Sequence, residues 1–270
     1  MFGFFKKRRR DRIRSRPFPS EWRDILQRHY SMYGRLPPSD RQELEGHIQI
    51  FLAEKQFEGC GGQAITDTVR VLIAAQACLL LLHRDTECYP RLHSILVYPS
   101  SYLAKTWHWE KGGIMVEGEQ ARGGESWPHG TVVLAWDGAV AGAVELDKGR
   151  NLVLHEFAHQ LDEEDGVADG APLLGGPGFS QTLQRYRTWA RVLSGEFQQL
   201  RRAAEEGRET VLDTYGARNP AEFFAVATES FFEQPGQLME RHPALYAELK
   251  EFYRQDPLRY PPAGPGKNEI

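Results

Sequence analysis

Residues 155–159 read His-Glu-Phe-Ala-His, and this pair of imidazoles constrains the chain more than any other feature. Positions i and i+4 lie one turn apart on the same helical face, so both rings reach one point only if the segment is an α-helix. The neighbouring residues agree. Leu154, Phe157, Ala158 and Leu161 fall at i, i+3, i+4 and i+7, an apolar stripe that buries against a core while His155, His159 and Asp162 line the adjacent face. Two helix-borne imidazoles with Glu156 beside them supply ligands and a base for metal-dependent hydrolysis. The three fixed positions also arise by composition in roughly a few of every hundred chains this long, leaving two surface histidines on an amphipathic helix as the alternative. The surroundings must therefore carry the reading.

A catalytic zinc takes three protein ligands and keeps a fourth position for water, so one more donor must come from elsewhere. Glu222 is the candidate. It follows Asn219, a helix cap, and Pro220, which suits the first helical position. Phe223, Phe224, Ala227, Phe231 and Phe232 then supply the bulk to pack this helix against the first. Asn-x-x-Glu is also a variant capping box, in which Glu222 folds back onto the cap amide, and local sequence leaves ligand and cap equally open. Glu229, two turns later on a similar face, is the rival ligand. The remaining histidines lack helical pairing and read as surface or packing residues.

The blocks His155-Glu-Phe-Ala-His159-Gln-Leu-Asp162 and Tyr215 through Asn-Pro-Ala-Glu222-Phe-Phe-Ala together resemble the Mlc titration factor A family of bacterial zinc-dependent peptidases. The likeness extends to Phe57-Glu-Gly-Cys60-Gly and the Ile73-Ala-Ala-Gln-Ala-Cys78 run. The metal-site blocks alone are also similar to the catalytic domain of anthrax lethal factor. This resemblance implies an α+β fold with a zincin-like metallopeptidase core: a small mixed sheet, an active-site helix, and additional N- and C-terminal helices. It implies one Zn2+ per chain, held by His155, His159 and Glu222, with Glu156 as the base that activates water and then protonates the leaving amine. Tyr215 would donate to the developing oxyanion; read without the resemblance, it is an aromatic packed beside a helix start. Asp162, one turn beyond His159, is a candidate for orienting a ligand from behind, with an exposed helix-end carboxylate as the alternative. Peptide substrates follow, with aminopeptidase action favoured over endopeptidase. A second role follows from the family name: binding and titrating an Mlc-like transcriptional repressor in glucose uptake regulation, either beside catalysis or in place of it. No residue marks that surface.

Upstream, Thr131 to Trp136 reads as a strand from its β-branched and aromatic content. In peptidases of the resembling kind such a strand offers its edge to an extended substrate; an ordinary core strand is the alternative. Ser94 to Tyr98 and Ile114 to Glu117 read as shorter strands joining it in one small sheet. Gly112, Gly113, Gly118, Gly123 and Gly124 mark turns between them, and Gly166 to Gly178 reads as a loop leaving the metal helix.

The net charge of −4 conceals an asymmetry, because eight Lys and Arg crowd residues 6–16. Such a run reads as a solvated, flexible tail over residues 1–20, with contact to the phosphates of nucleic acid or anionic lipid, helped by Phe2, Phe4 and Phe5, as the alternative. No nucleic-acid motif accompanies it, so no direct nucleic-acid partner is expected. Charges follow the opening aromatics where a secretory signal would need an apolar region. Val71 to Leu82 is the longest apolar run, too short for the roughly 20 residues that cross a bilayer, and so a buried helix with no transmembrane segment. Cys60, Cys78 and Cys88 form no Cys-x-x-Cys pair and leave one unmatched, which suits a cytoplasmic location. The expected organisation is a helical region over 21–90, a catalytic core over 91–260 and a disordered tail over 261–270.

Overall fold

An apolar run interrupted by one amide, Gln76, can only be buried on all sides, and the fold is assembled around it. The helix Asp67–Leu79 begins where Thr66 Oγ1 accepts the Val69 N–H at 3.3 Å. Every residue from Val71 to Leu82 is buried. The Gln76 Nε2 donates to the carbonyls of Leu72 and Ala139, at 3.1 and 3.0 Å, so its amide nitrogen is satisfied away from water.

The computed structural model of the chain describes residues 2–84, 87–110, 114–122, 124–127, 130–175 and 179–261. Its elements in chain order begin with α1 (Phe2–Arg14), α2 (Ser20–His29), α3 (Ser31–Arg35), α4 (Pro38–Glu54), β1 (Gln56–Gly59) and α5 (Asp67–Leu79). The strands β2 (Ser94–Tyr98), β3 (Tyr102–Glu110), β4 (Ile114–Arg122), β5 (Gly124–Trp127) and β6 (Thr131–Ala135) follow. The remainder is helical: α6 (Trp136–Val144), α7 (Leu152–Asp162), α8 (Phe179–Glu205), α9 (Pro220–Glu233), α10 (Pro235–Arg241) and α11 (Pro243–Tyr253).

The sheet is mixed, in the order β1-β2-β6-β5. β1, β2 and β6 run parallel, with Ser94 opposite both Gln56 and Thr131, and β5 runs antiparallel to β6. In β6, Val132 to Ala135 are buried consecutively, as expected of a strand covered on both faces. Two expectations need correction here. The Thr131–Trp136 segment cannot offer a sheet edge, because β6 is hydrogen-bonded to β2 on one side and β5 on the other, and Trp136 already begins α6. The edge beside the metal helix belongs instead to β5, which has no further strand beyond it among the described residues and packs beside α7. Ile114 to Glu117 lies in β4, which pairs in a hairpin with β3 and not with the sheet.

The N-terminal basic run also departs from expectation, since residues 2–14 form a helix docked on α4. Lys6, Arg10 and Ile13 fall at i, i+4 and i+7 and make an inward stripe that the crowding of charge conceals. Arg10 grips Glu54 with both ends of its guanidinium, at 2.8 and 2.6 Å, Lys6 pairs with Glu87, and Ile13 and Phe18 join the core. The boundary expected near residue 90 does not divide that core: β1 lies in the same sheet as β2 and β6, and Phe51 of α4 packs against Phe157 of α7, 5.7 Å between ring centroids. The tail expected over 261–270 falls, apart from Pro261, outside the described residues, as do Gly112, Gly113, Gly123 and 176–178.

One buried acid sets a pH dependence. Glu233 on α9 is 1% exposed; its Oε1 accepts from Asn151 Nδ2 at 3.2 Å and its Oε2 has no partner. Burial, aided by the charge of nearby Glu229, pushes its pKa from 4.5 up to about 8. The folded state therefore holds this proton more tightly than the unfolded chain. The associated stability is fully present below about pH 4.5 and is lost as pH rises to about 8. Glu233→Gln, neutral throughout, should flatten this dependence and raise the melting temperature at pH about 8 by roughly 2–6 °C, about 1–2 kcal/mol. A thermal melt series in which wild type and variant lose stability in parallel between those limits would contradict the assignment.

Candidate metal centre

The helix that carries the two imidazoles is started by a single asparagine. Asn151 is extended, and its Oδ1 accepts the Leu154 N–H at 3.0 Å, as a helix cap does. Its Nδ2 donates to the Gly142 carbonyl at 2.8 Å and to Glu233, and its own N–H donates to Glu229 Oε2 at 2.6 Å. This closeness demands a glycine at 142, where a Cβ would lie 2.7 Å from Asn151 Cγ. On the apolar side of α7, Phe157 packs edge-on against Tyr89 with 4.8 Å between centroids. Cap and core together fix the axial position and rotation of the helix.

The second helix starts in the same way. Asn219 Oδ1 accepts the Glu222 N–H at 2.9 Å with Pro220 in the first turn. The cap therefore uses the Glu222 backbone and leaves its side chain free to leave the turn. That side chain reaches the imidazoles: Glu222 Oε2 lies 3.0 Å from His155 Nε2 and 3.4 Å from His159 Nε2, and the two Nε2 atoms are 3.2 Å apart. Of the two readings local sequence left open, the geometry selects the one in which Glu222 faces the histidines.

Three donor atoms spaced in this way make a face that fits a divalent ion. Ligands at about 2.0–2.1 Å in a tetrahedral site stand about 3.3–3.4 Å from one another, close to the separations observed. His155, His159 and Glu222 can thus hold a metal ion, the one such group found among the described residues. Their side chains are 13–19% exposed, so the site is recessed yet reachable from solvent. Electrostatics points the same way. Burial disfavours charge on His155, but hydrogen bonds to Glu222 and Glu229 outweigh it and hold its pKa well above the usual imidazole range. Burial likewise opposes ionisation of Glu222, and bonds to both imidazoles overcome it, holding the carboxyl far below its ordinary value. The site favours a positive charge between these groups.

Glu229 takes the place behind the ligands. Its Oε1 lies 2.7 Å from His155 Nδ1 while Oε2 accepts from Asn151, so one carboxylate orients the ring and ties α9 to the start of α7. With Nδ1 engaged by Glu229, Nε2 is the ring nitrogen left to hold a metal ion. Asp162, expected in that position, turns elsewhere: Oδ2 accepts the Gly170 N–H at 2.8 Å, and among the described contacts it bonds neither histidine. It pins the loop after α7, where Gly170 has φ +78° and a Cβ would approach the Pro220 carbonyl oxygen to 2.5 Å. The loop is thereby held against the start of the helix bearing Glu222.

Glu156 is buried, and desolvation raises its pKa to about 7 against the opposing pull of the two imidazoles. Tyr215 sits in the 3-10 turn Thr214–Ala217, whose start Asp213 caps by accepting the Tyr215 N–H at 2.9 Å. Its ring centroid is 5.9 Å from that of His155, its hydroxyl is 3.5 Å from Glu222 Oε1, and the Arg218 guanidinium lies 4.2 Å from its ring centre. Of the residues singled out in the two sequence blocks, His155, His159 and Glu222 come together, Tyr215 lies beside them and Asp162 turns away. Sequence reasoning missed Asn151, although an asparagine just before Leu-Val-Leu-His is a recognisable cap, and placed Glu229 only as a competing ligand.

Comparison with known proteins agrees with this arrangement. Residues 5–254 match the family described as glucose-regulated metallo-peptidase M90. The chain is 42% identical over 252 residues to the protein slr2042 of Synechocystis, covering 93% of this chain and 89% of that one. It is 31% identical over 245 residues to Mlc titration factor A of Serratia proteamaculans, covering 88% of each, and 32% identical over 226 residues to that of Pectobacterium atrosepticum, covering 83% and 82%. With its paired imidazoles, its distant glutamate and a match over nearly its whole length, the chain belongs to the glucose-regulated metallo-peptidase M90 family.

Proposed function

We propose that this protein is a zinc-dependent peptidase acting as an aminopeptidase, with a zincin-like core. The observation that carries the proposal is the convergence of His155 Nε2, His159 Nε2 and Glu222 Oε2 within 3.0–3.4 Å. These atoms would hold the ion, and Glu229, bonded to His155 Nδ1, would keep that ring in place for it. A bound zinc ion supplies Lewis acidity and lowers the pKa of water to about 7. Glu156, whose own pKa of about 7 suits a group that must both take and return a proton near neutrality, deprotonates the attacking water and passes the proton to the leaving amine. Tyr215, on the other side of Glu222, donates its hydroxyl hydrogen to the carbonyl oxygen as negative charge builds there. The edge of β5, unpaired among the described residues, would offer main-chain hydrogen bonds to an extended peptide, which holds substrates with little regard to side chain. The preference for a free amino terminus rests on the family resemblance of the two sequence blocks.

A second reading has the protein bind a Mlc-like transcriptional repressor, with or without hydrolysis. It is favoured by the relatives named Mlc titration factor A, matched over 82–88% of their length. A pull-down with the Mlc-like repressor of the same organism should recover a complex at micromolar concentration; no association there counts against this role.

Purified protein should contain about one zinc per chain, and chelation should abolish cleavage of aminoacyl anilides. Glu156→Gln should keep the metal and lose activity by about 10²–10⁴-fold, and Tyr215→Phe should lower kcat by roughly 10²-fold with little change in KM. A metal-loaded Glu156→Gln protein as fast as wild type would remove the proposed base. Glu229→Ala, by freeing the His155 ring, should weaken zinc binding about 10–100-fold in competition with a chromogenic chelator. Unchanged affinity would show that His155 needs no support from α9.

A further inference from the structure

The peptidase reading leaves the first helix unused, and its exposed face has a chemistry of its own. Residues 1–16 carry a net charge of +7, and the rest of the chain carries −11, for −4 overall. Docking of α1 on α4 joins Arg10 to Glu54, Lys6 to Glu87 and Arg9 to the Ala53 carbonyl. The side chains of Lys7, Arg8, Arg12, Arg14 and Arg16 are solvent-exposed, with Asp11 the one acid among them. Phe5 is 62% exposed as well. Phe5, Arg8 and Arg12 fall at i, i+3 and i+7, so an aromatic ring and two guanidinium groups share one line about 10 Å long on the solvent side of the helix.

We infer that the outer face of α1 is a docking surface for an anionic membrane, seating the protein on the bilayer through exposed cations and the Phe5 ring. An interfacial helix needs cations at headgroup level and an apolar group that enters the acyl boundary, and this face presents both. The helix need not leave the body to bind, because the Arg10–Glu54 pair and Ile13 occupy its opposite side. The acidic body is repelled by the same lipids, which leaves α1 as the favoured point of contact. A duplex nucleic acid would also attract the cations, but it offers no apolar phase to a solvent-exposed ring; the pairing of Phe5 with the cationic line favours lipid.

Flotation with vesicles tests this on the full chain. Vesicles of phosphatidylglycerol and phosphatidylcholine in about equal parts should retain the protein at about 0.1 M salt, pure phosphatidylcholine should not, and about 0.5 M salt should release it. Neutralising the outer face with Lys7→Gln, Arg8→Gln and Arg12→Gln should weaken retention on the order of a hundredfold, about fivefold per cation. Phe5→Ser should weaken it about tenfold while keeping the salt dependence. Hydrolytic activity and the circular dichroism of each variant should match wild type, which separates loss of docking from misfolding and from any failure of the peptidase reading. Equal retention by both vesicle types, or retention untouched by the triple substitution, overturns the inference. Binding to mixed-sequence duplex DNA with no vesicle retention overturns it in favour of nucleic acid.

Discussion

Asn151 is the joint on which the site depends. Through four hydrogen bonds it caps α7, holds the α6 carbonyl of Gly142 and engages two carboxylates of α9. Without it these helices would depend more heavily on apolar contacts, which resist separation but allow sliding and rotation. A buried asparagine fully engaged by directional bonds removes that freedom, since misalignment leaves polar atoms unsatisfied away from water. The His155 and Glu222 side chains meet at hydrogen-bond distance because the helices carrying them are registered at this point.

The cost of this construction is a concentration of acids. Glu156, Glu229 and Glu233 are all buried, and Glu222 stands beside them. Like charges at this density are tolerated only if some are neutralised. Glu233 answers by holding its proton, while Glu222, bonded to both imidazoles, is held in its charged form against a positive charge centred on His155. In the absence of an ion that charge is a proton on the imidazole; a divalent cation between the same atoms satisfies the same demand more fully.

Legibility in the sequence followed the range of the forces involved. The metal helix was readable because its apolar stripe and paired histidines obey one period within eleven residues. The start of α9 was readable from Asn219 and Pro220 for the same local reason. The choice between Glu222 and Glu229 was not, because both lie on similar faces of one helix and the difference between ligand and support is the depth at which α9 crosses α7. The docked N-terminal helix was hidden by charge density: the count of cations reads as solvation, and the partner of Arg10 lies 44 residues away in Glu54. The sheet misled in another way, since the apolar content of β6 marks a strand without saying how many neighbours it has.

The amino-acid sequence by itself determined the chemistry available: two imidazoles one helical turn apart, a base beside them, a capped helix carrying further carboxylates, and a cationic segment at the start. These are properties of short windows, where helical periodicity and capping act within a few residues. Only the tertiary structure decided which carboxylate faces the imidazoles, which one stands behind them, which strands end the sheet among the described residues, and which carboxylates Lys6 and Arg10 of the first helix meet. Those outcomes are set by hydrogen bonds and ion pairs between segments 40 to 80 residues apart, whose geometry exists only once the core has closed around α5.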